Sequence, residues 1–201
     1  MVVIGLTGGS GSGKTTALSR IVALGGSVID CDAVYHTLLE QDLAMLKGIA
    51  AAFPEAVCGN AVDRRRLGRL VFGDPDRLKE LNAITHPAVF AEVQRRLDSQ
   101  RQRQCPVAAV DAVALIESGL GRLCDYTVAV LAPQALRIQR LVAREGISED
   151  YAALRIQAQK SNAEFAAQCQ YVLYNDTANL EEFEKQCDTL FLQLLGGTNH
   201  V

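Results

Sequence analysis

The segment Gly8-Gly9-Ser10-Gly11-Ser12-Gly13-Lys14-Thr15 fits GxxxxGK[ST] and stands directly behind a short apolar run, Val2-Val3-Ile4-Gly5-Leu6. Such a loop gathers its backbone N–H groups around an anion when a buried strand delivers it and a helix leaves it, because the helix N-terminus adds the positive end of its dipole. The chain is therefore expected to begin strand, phosphate loop, helix, with the helix opening near Lys14. Gly9, Gly11, Ser12, Gly13, Lys14, Thr15 and Thr16 form the cradle, in which Lys14 bridges the β and γ phosphates and the Thr15 hydroxyl ligates Mg²⁺.

Further short, barely alternating apolar runs occur at Ser27-Val28-Ile29, Val107-Ala108-Ala109-Val110 and Thr127-Val128-Ala129-Val130-Leu131, with Tyr171-Val172-Leu173 as a weaker fifth. Strands buried on both faces of a parallel sheet read this way, and helical stretches separate them. The predicted class is α/β, with a parallel sheet of about five strands flanked by helices. A crossover needs little more than ~12 residues, and Ile29 and Val107 lie much further apart than that. A helical block is therefore inserted between the second and third of these strands.

Inside it, Leu67, Leu70 and Val71 follow Arg64, Arg65, Arg66 and Arg69 at helical spacing, and Pro87 opens a helix to about Asp98 with Val89, Phe90, Val93 and Leu97 on one stripe. Gln134 to Arg144 and Glu149 to Phe165 read as a helical hairpin broken at Glu145-Gly146-Ile147, with Ser148 as N-cap. A last helix is expected from about Leu180 to Leu195.

Charge narrows the partners. Twenty Lys+Arg against 23 Asp+Glu leave −3, so no bulk positive charge holds nucleic acid or a membrane surface, and any anion site must be local. Six cysteines without a CxxC pair read as reduced thiols. The apolar start lacks the basic flank of a signal peptide, no apolar run is long enough to span a membrane, and the cytoplasm is the expected compartment.

A phosphate loop is shared by switches, motors and kinases. No [NT]KxD occurs, so the guanine-reading pattern of switches is missing. Asp111 ends an apolar strand, where a carboxylate orients Mg²⁺ or its water, or simply caps the next turn. In Asp30-Cys31-Asp32, Asp32 at the head of a helix beginning with Ala33 is either the base that orients a hydroxyl acceptor or the N-cap of that helix. Arg64 reads as a cradle for a phosphate-bearing acceptor or as part of a solvated face, with Arg65 facing water. His86 before Pro87 is a helix start or a donor at a helix N-terminus. On the hairpin, Arg140 is the chosen cation for the transferring group, against salt bridges to Glu145 or Glu149.

Together these motifs resemble the dephospho-coenzyme A kinase family over nearly the whole chain. The likeness runs through Gly5-Leu6-Thr7-Gly8-Gly9, Gly11 to Thr16, Val28-Ile29-Asp30-Cys31-Asp32, Val62-Asp63-Arg64 and His86-Pro87. It continues through Leu115-Ile116-Glu117, Arg140, Arg144-Glu145-Gly146-Ile147-Ser148, Arg155-Ile156 with Gln159, and Asn175. The resemblance implies ATP-dependent phosphorylation of the ribose 3′-hydroxyl of dephospho-coenzyme A, with ATP as donor, Mg²⁺, and dephospho-coenzyme A as the small-molecule substrate. It implies a nucleotide-binding core at 1–32 and 105–201, a lid at about 134–167 and a substrate domain at 33–104. By the same resemblance Asp32 is the base, Lys14 and Arg140 stabilise the transferring group, Thr7, Arg64, His86 and Glu117 serve the substrate, and Asn175 sits near the adenine.

Departures from the family pattern are Val113 for a proline, Pro54 after Phe53 where glycine is common, Arg137 where glutamine is frequent, and Thr177 for glycine. The alternative reading is another hydroxyl kinase of the shikimate or gluconate kinase type. A non-catalytic P-loop regulator would have no need of Asp32. No residue pattern sets an oligomeric state.

Overall fold

Strand β1 (Val2–Thr7) is buried along its whole length and leads into the glycine loop, from which helix α1 (Lys14–Ala23) departs. The computed structural model describes residues 1–59, 61–176 and 179–196; Thr177 and the tail beyond Gly196 lie outside them. The chain continues through β2 (Ser27–Asp30), α2 (Cys31–Gln41), α3 (Leu43–Ala52), β3 (Val57–Cys58), β4 (Ala61–Val62), α4 (Arg64–Val71) and α5 (Pro75–Gln102). It then runs through β5 (Val107–Asp111), β6 (Tyr126–Leu131), α6 (Gln134–Glu145), α7 (Glu149–Gln157), α8 (Asn162–Gln168), β7 (Tyr171–Tyr174) and α9 (Leu180–Gly196).

The main sheet has the order β2-β5-β1-β6-β7. β1 pairs in parallel with β5 and β6, and β6 with β7, so that Leu6 lies opposite Asp111, Thr7 opposite Ala129, and Leu131 opposite Tyr174. The carboxyl ends of these four strands thus share one edge, where ligands bind in open α/β sheets.

Met1–Ile29 together with the chain from Ser99 onward forms one compact unit, and Asp30–Asp98 a second. In the first, Ile4, Leu6, Val128 and Val130 pack with Ala17 and Ile21 of α1 and with Phe183, Cys187, Phe191 and Leu194 of α9. The α9 residues recur at the three-to-four-residue spacing of one helix stripe. Arg20 of α1 clamps Asp188 of α9 with two bonds, at 2.8 and 2.7 Å. The second unit encloses Leu39, Met45, Ile49, Phe53, Leu67 and Leu81. Phe53 is fully buried, with the Arg77 guanidinium 4.9 Å from its ring centroid.

Three expectations are corrected. Pro87 does not open a helix; α5 runs through it from Pro75. The start signal is Asp74-Pro75, where Asp74 Oδ1 accepts from the N–H groups of Asp76 and Arg77 at 3.1 Å each. Pro87 removes the bond to the Ala83 carbonyl, but the buried stripe Leu81, Thr85, Val89, Val93, Leu97 continues across it and holds the helix together. The hairpin's second arm is two helices, because Ser161 and Glu164 close a capping box that starts α8. The insert is not wholly helical: β3 and β4 pair antiparallel beside Gly59, whose φ of 62° favours glycine.

On α5, the Glu92 carboxyl accepts from Arg95 at 2.7 and 2.8 Å and from Arg96 at 2.8 Å, and these bonds hold its pKa at about 2, against 4.5 for a free glutamate. A depressed carboxyl stabilises the fold above its unfolded pKa and loses that contribution as pH falls through the folded one. Glu92→Gln is therefore expected to cost about 1 kcal/mol at pH 7, the exposed Arg95 and half-exposed Arg96 limiting the gain. The difference from wild type should shrink between pH 4.5 and about 2 in denaturant titrations. A pH-independent difference would contradict the assignment.

Candidate active site

The phosphate loop is fastened from behind. Asn175, just past β7, donates its backbone N–H to the Leu131 carbonyl at 2.7 Å, and Nδ2 donates to the Ser12 carbonyl at 2.9 Å. Gly13 has φ 105°, and a Cβ there would stand 2.1 Å from Asn175 Nδ2, so only glycine fits between the amide and α1. Arg140 of α6 donates to the Gly11 carbonyl at 3.2 Å and to Asn175 Oδ1 at 3.0 Å. Ser12 Oγ is buried without a hydrogen-bond partner among the described residues. Such a hydroxyl costs about 1–3 kcal/mol unless an acceptor or donor reaches it, and a phosphate oxygen would serve.

Lys14 Nζ lies 3.0 Å from Asp111 Oδ1, with the two side chains 17% and 19% exposed. The register of β1 and β5 brings this pair together. Thr15 is exposed and Thr16 half-buried in the first turn of α1. A hydroxyl and one carboxylate suit Mg²⁺, which keeps much of its water and takes phosphate oxygens as its other ligands. No group of three or more His, Cys, Asp or Glu among the described residues could hold a metal without such phosphates.

The helical hairpin carries the arginines. Burial pushes the guanidinium pKa of Arg140 below its ordinary value. Glu145, the expected competitor for Arg140, is taken by Arg144 at 2.5 Å and by Arg155. Arg137 is buried against the loop. Thr7 is also buried, and its hydroxyl donates to the Val113 carbonyl at 2.9 Å, fixing the chain after β5 where valine stands in place of proline. Glu117 pairs with Lys160, which also donates to Gln168 Oε1 at 2.8 Å. No motif had pointed to Lys160, because a single lysine between two helices carries no pattern.

In the second unit, Asp30 is the N-cap of α2, its carboxylate accepting from the N–H groups of Asp32 at 2.9 Å and Ala33 at 3.0 Å. The helix thus begins at Cys31 rather than Ala33. This corrects the capping alternative for Asp32, whose side chain is exposed in the first turn. Asp63 caps α4 in the same way, and its backbone bonds hold its carboxyl below the usual range. The exposed Arg64 places Nη2 2.6 Å from His36 Nε2. Both line a cleft of about 790 Å³ with Tyr35, Val62, Arg65 and Leu81. Arg65 is exposed, as expected. His36 escaped the sequence reading because its contact with Arg64 spans 28 residues. His86 is half-buried in mid-α5, not at a helix N-terminus, and is not among the residues lining the cleft; burial lowers its pKa.

A phosphate loop at the carboxyl edge of a parallel sheet, backed by a strand-end carboxylate and an arginine-bearing helical hairpin, defines a P-loop kinase. Residues 2–181 match the family model for dephospho-CoA kinase, and the chain belongs to that family. A dephospho-CoA kinase of Thermus thermophilus is 37% identical over 197 residues, which cover 98% of this chain and 93% of the relative. A T. thermophilus protein of known crystal structure superposes with a TM-score of 0.77 at 35% identity, over 96% of this chain and 97% of that one. A shikimate kinase from Bacteroides thetaiotaomicron, at 20% identity and a TM-score of 0.55 over 96% of this chain and 98% of its own, shares the fold.

Proposed function

We infer that this chain transfers the γ-phosphoryl group of ATP to the ribose 3′-hydroxyl of dephospho-coenzyme A, giving coenzyme A and ADP. The observation that carries this reading is the family match, which runs through the second unit as well as the phosphate loop. Membership of a family sharing only the loop would leave the acceptor open.

In this reading the backbone from Gly9 to Thr16 receives the phosphates, and Ser12 Oγ gains the partner it lacks. Lys14 moves from Asp111 to the β and γ phosphates. Thr15 and Asp111, the latter directly or through water, would hold Mg²⁺, which supplies neutralisation of charge on the β and γ oxygens. Asn175 serves the nucleotide through the loop it props. Asp32 holds the ribose hydroxyl in line and takes its proton late, since a loose transition state needs little early deprotonation. The cleft at Arg64, Arg65 and His36, which Asp63 also lines, receives phosphate oxygens of the acceptor on its guanidinium groups. Thr7 and Glu117 order the chain around the site, and His86, whose pKa burial lowers, supports the acceptor side from α5.

The six cysteines are all thiols, and burial pushes those of Cys124 and Cys187 up to about 12. This supports a reducing, cytoplasmic setting. No helix among the described residues is long and apolar enough to cross a membrane.

Arg140→Lys keeps the charge but loses the fork that spans Gly11 and Asn175, so turnover should fall by about tenfold or more with ATP affinity little changed. Arg144→Lys, at a residue paired with Glu145, should be milder. Steady-state kinetics of the two variants check this, and equal effects would contradict a distinct role for Arg140.

The reading itself is tested by ADP release in a coupled assay with dephospho-coenzyme A, shikimate or gluconate as acceptor. Release should depend on dephospho-coenzyme A. Release with shikimate or gluconate alone would assign the chain to the alternative.

A further inference from the structure

Arg137 of α6 is 3% exposed, yet it carries a full charge. Nε donates to the Ser10 carbonyl at 2.9 Å and Nη2 to Gln159 Oε1 at 2.8 Å. Gln159, just beyond α7, accepts from the Ser10 N–H at 2.9 Å and donates through Nε2 to Ser10 Oγ at 2.8 Å. The guanidinium also lies on the loop backbone: a Cβ on Gly9 would stand 2.1 Å from Nη2. Both acceptors are neutral, and among the described residues no carboxylate pairs with Arg137. Burial lowers its pKa with no acidic group acting the other way.

Burying a charge without an opposite charge is expensive, and hydrogen bonds to neutral acceptors offset only part of the cost. A neutral amide at this position could hold the same loop atoms without that cost. The charge therefore calls for an anion that the described residues do not provide. Residues 8–15 wrap a place built for one, and Arg137 touches the outside of that wrap at Gly9 and Ser10. We propose that Arg137 is a positioning residue for the donor nucleotide, whose phosphates are its missing counter-charge. This rests on the reading of residues 8–15 as the nucleotide-phosphate loop. Arg137 acts across the loop rather than by touching the phosphates, through attraction that water screens little at a buried site. It also ties loop and hairpin together, so the loop holds its shape for the polyphosphate.

The test is calorimetric binding of ATP, ADP and adenosine to the whole protein as wild type, Arg137→Gln and Gln159→Glu. Arg137→Gln removes the charge and keeps an amide donor. Gln159→Glu keeps the shape and places a carboxylate beside the guanidinium, with the Ser10 hydroxyl turning to donate. Both variants should weaken ATP binding by about tenfold or more, ADP binding by less, and adenosine binding not at all. Gln159→Glu should also melt higher than wild type, so it carries the test if Arg137→Gln folds poorly. ATP affinity within about twofold of wild type in Gln159→Glu would overturn the proposal and leave Arg137 a structural latch. A lower melting temperature for that variant would contradict the missing counter-charge. Failure of the wild type to bind ATP at all would overturn the loop reading, and this proposal with it.

Discussion

Lys14→Ala is expected to abolish phosphoryl transfer while the protein stays folded. The ammonium faces Asp111 at 3.0 Å from the first residue of α1, within reach of the loop it follows. Its attraction to the β and γ oxygens is worth most when charge shifts between them in the transition state, so rate should suffer more than binding. A loss of about three orders of magnitude or more in turnover is expected, the range for removing a principal cationic contact in phosphoryl transfer. Single-turnover kinetics with matched thermal melts check this. A folded variant with near wild-type turnover would remove Lys14 from the mechanism.

Asp32→Asn is expected to lower turnover by about two to four orders of magnitude, the range of a positioned general base, with ATP binding within several-fold of wild type. The structure sharpens this test. Asp30, not Asp32, caps α2, so the substitution removes no cap and should leave stability within about 0.5 kcal/mol. A stable variant that binds ATP and turns over at near wild-type rate would mean the base lies elsewhere, and Asp111 would be the next residue to test.

How far the chain could be read before its structure depended on whether each signal was local. The phosphate loop and the apolar strands are contiguous, and β1, α1, β5 and β6 stand where the runs placed them. Pro87 misled because a proline is a strong local stop, whereas the packing that overrides it is spread over Leu81 to Leu97. The Asp74-Pro75 start and the Ser161–Glu164 box are equally local, but each lies inside or beside a longer periodic stretch whose stronger signal masks it. In Asp30-Cys31-Asp32 two residues of one type compete for one cap, and only backbone geometry decides between them. Arg137, Arg140 and Asn175 gain their meaning from contacts across 35 to 163 residues with the loop and each other, which no spacing rule reveals.

The most direct test of the central claim is the identity of the product. Purified protein with ATP, Mg²⁺ and dephospho-coenzyme A should give one ADP for each acceptor consumed. Phosphorus NMR of the product should show a new phosphomonoester coupled to the ribose H3′ proton. ADP formed without acceptor consumption, or a phosphate coupled to any other position, would contradict the account.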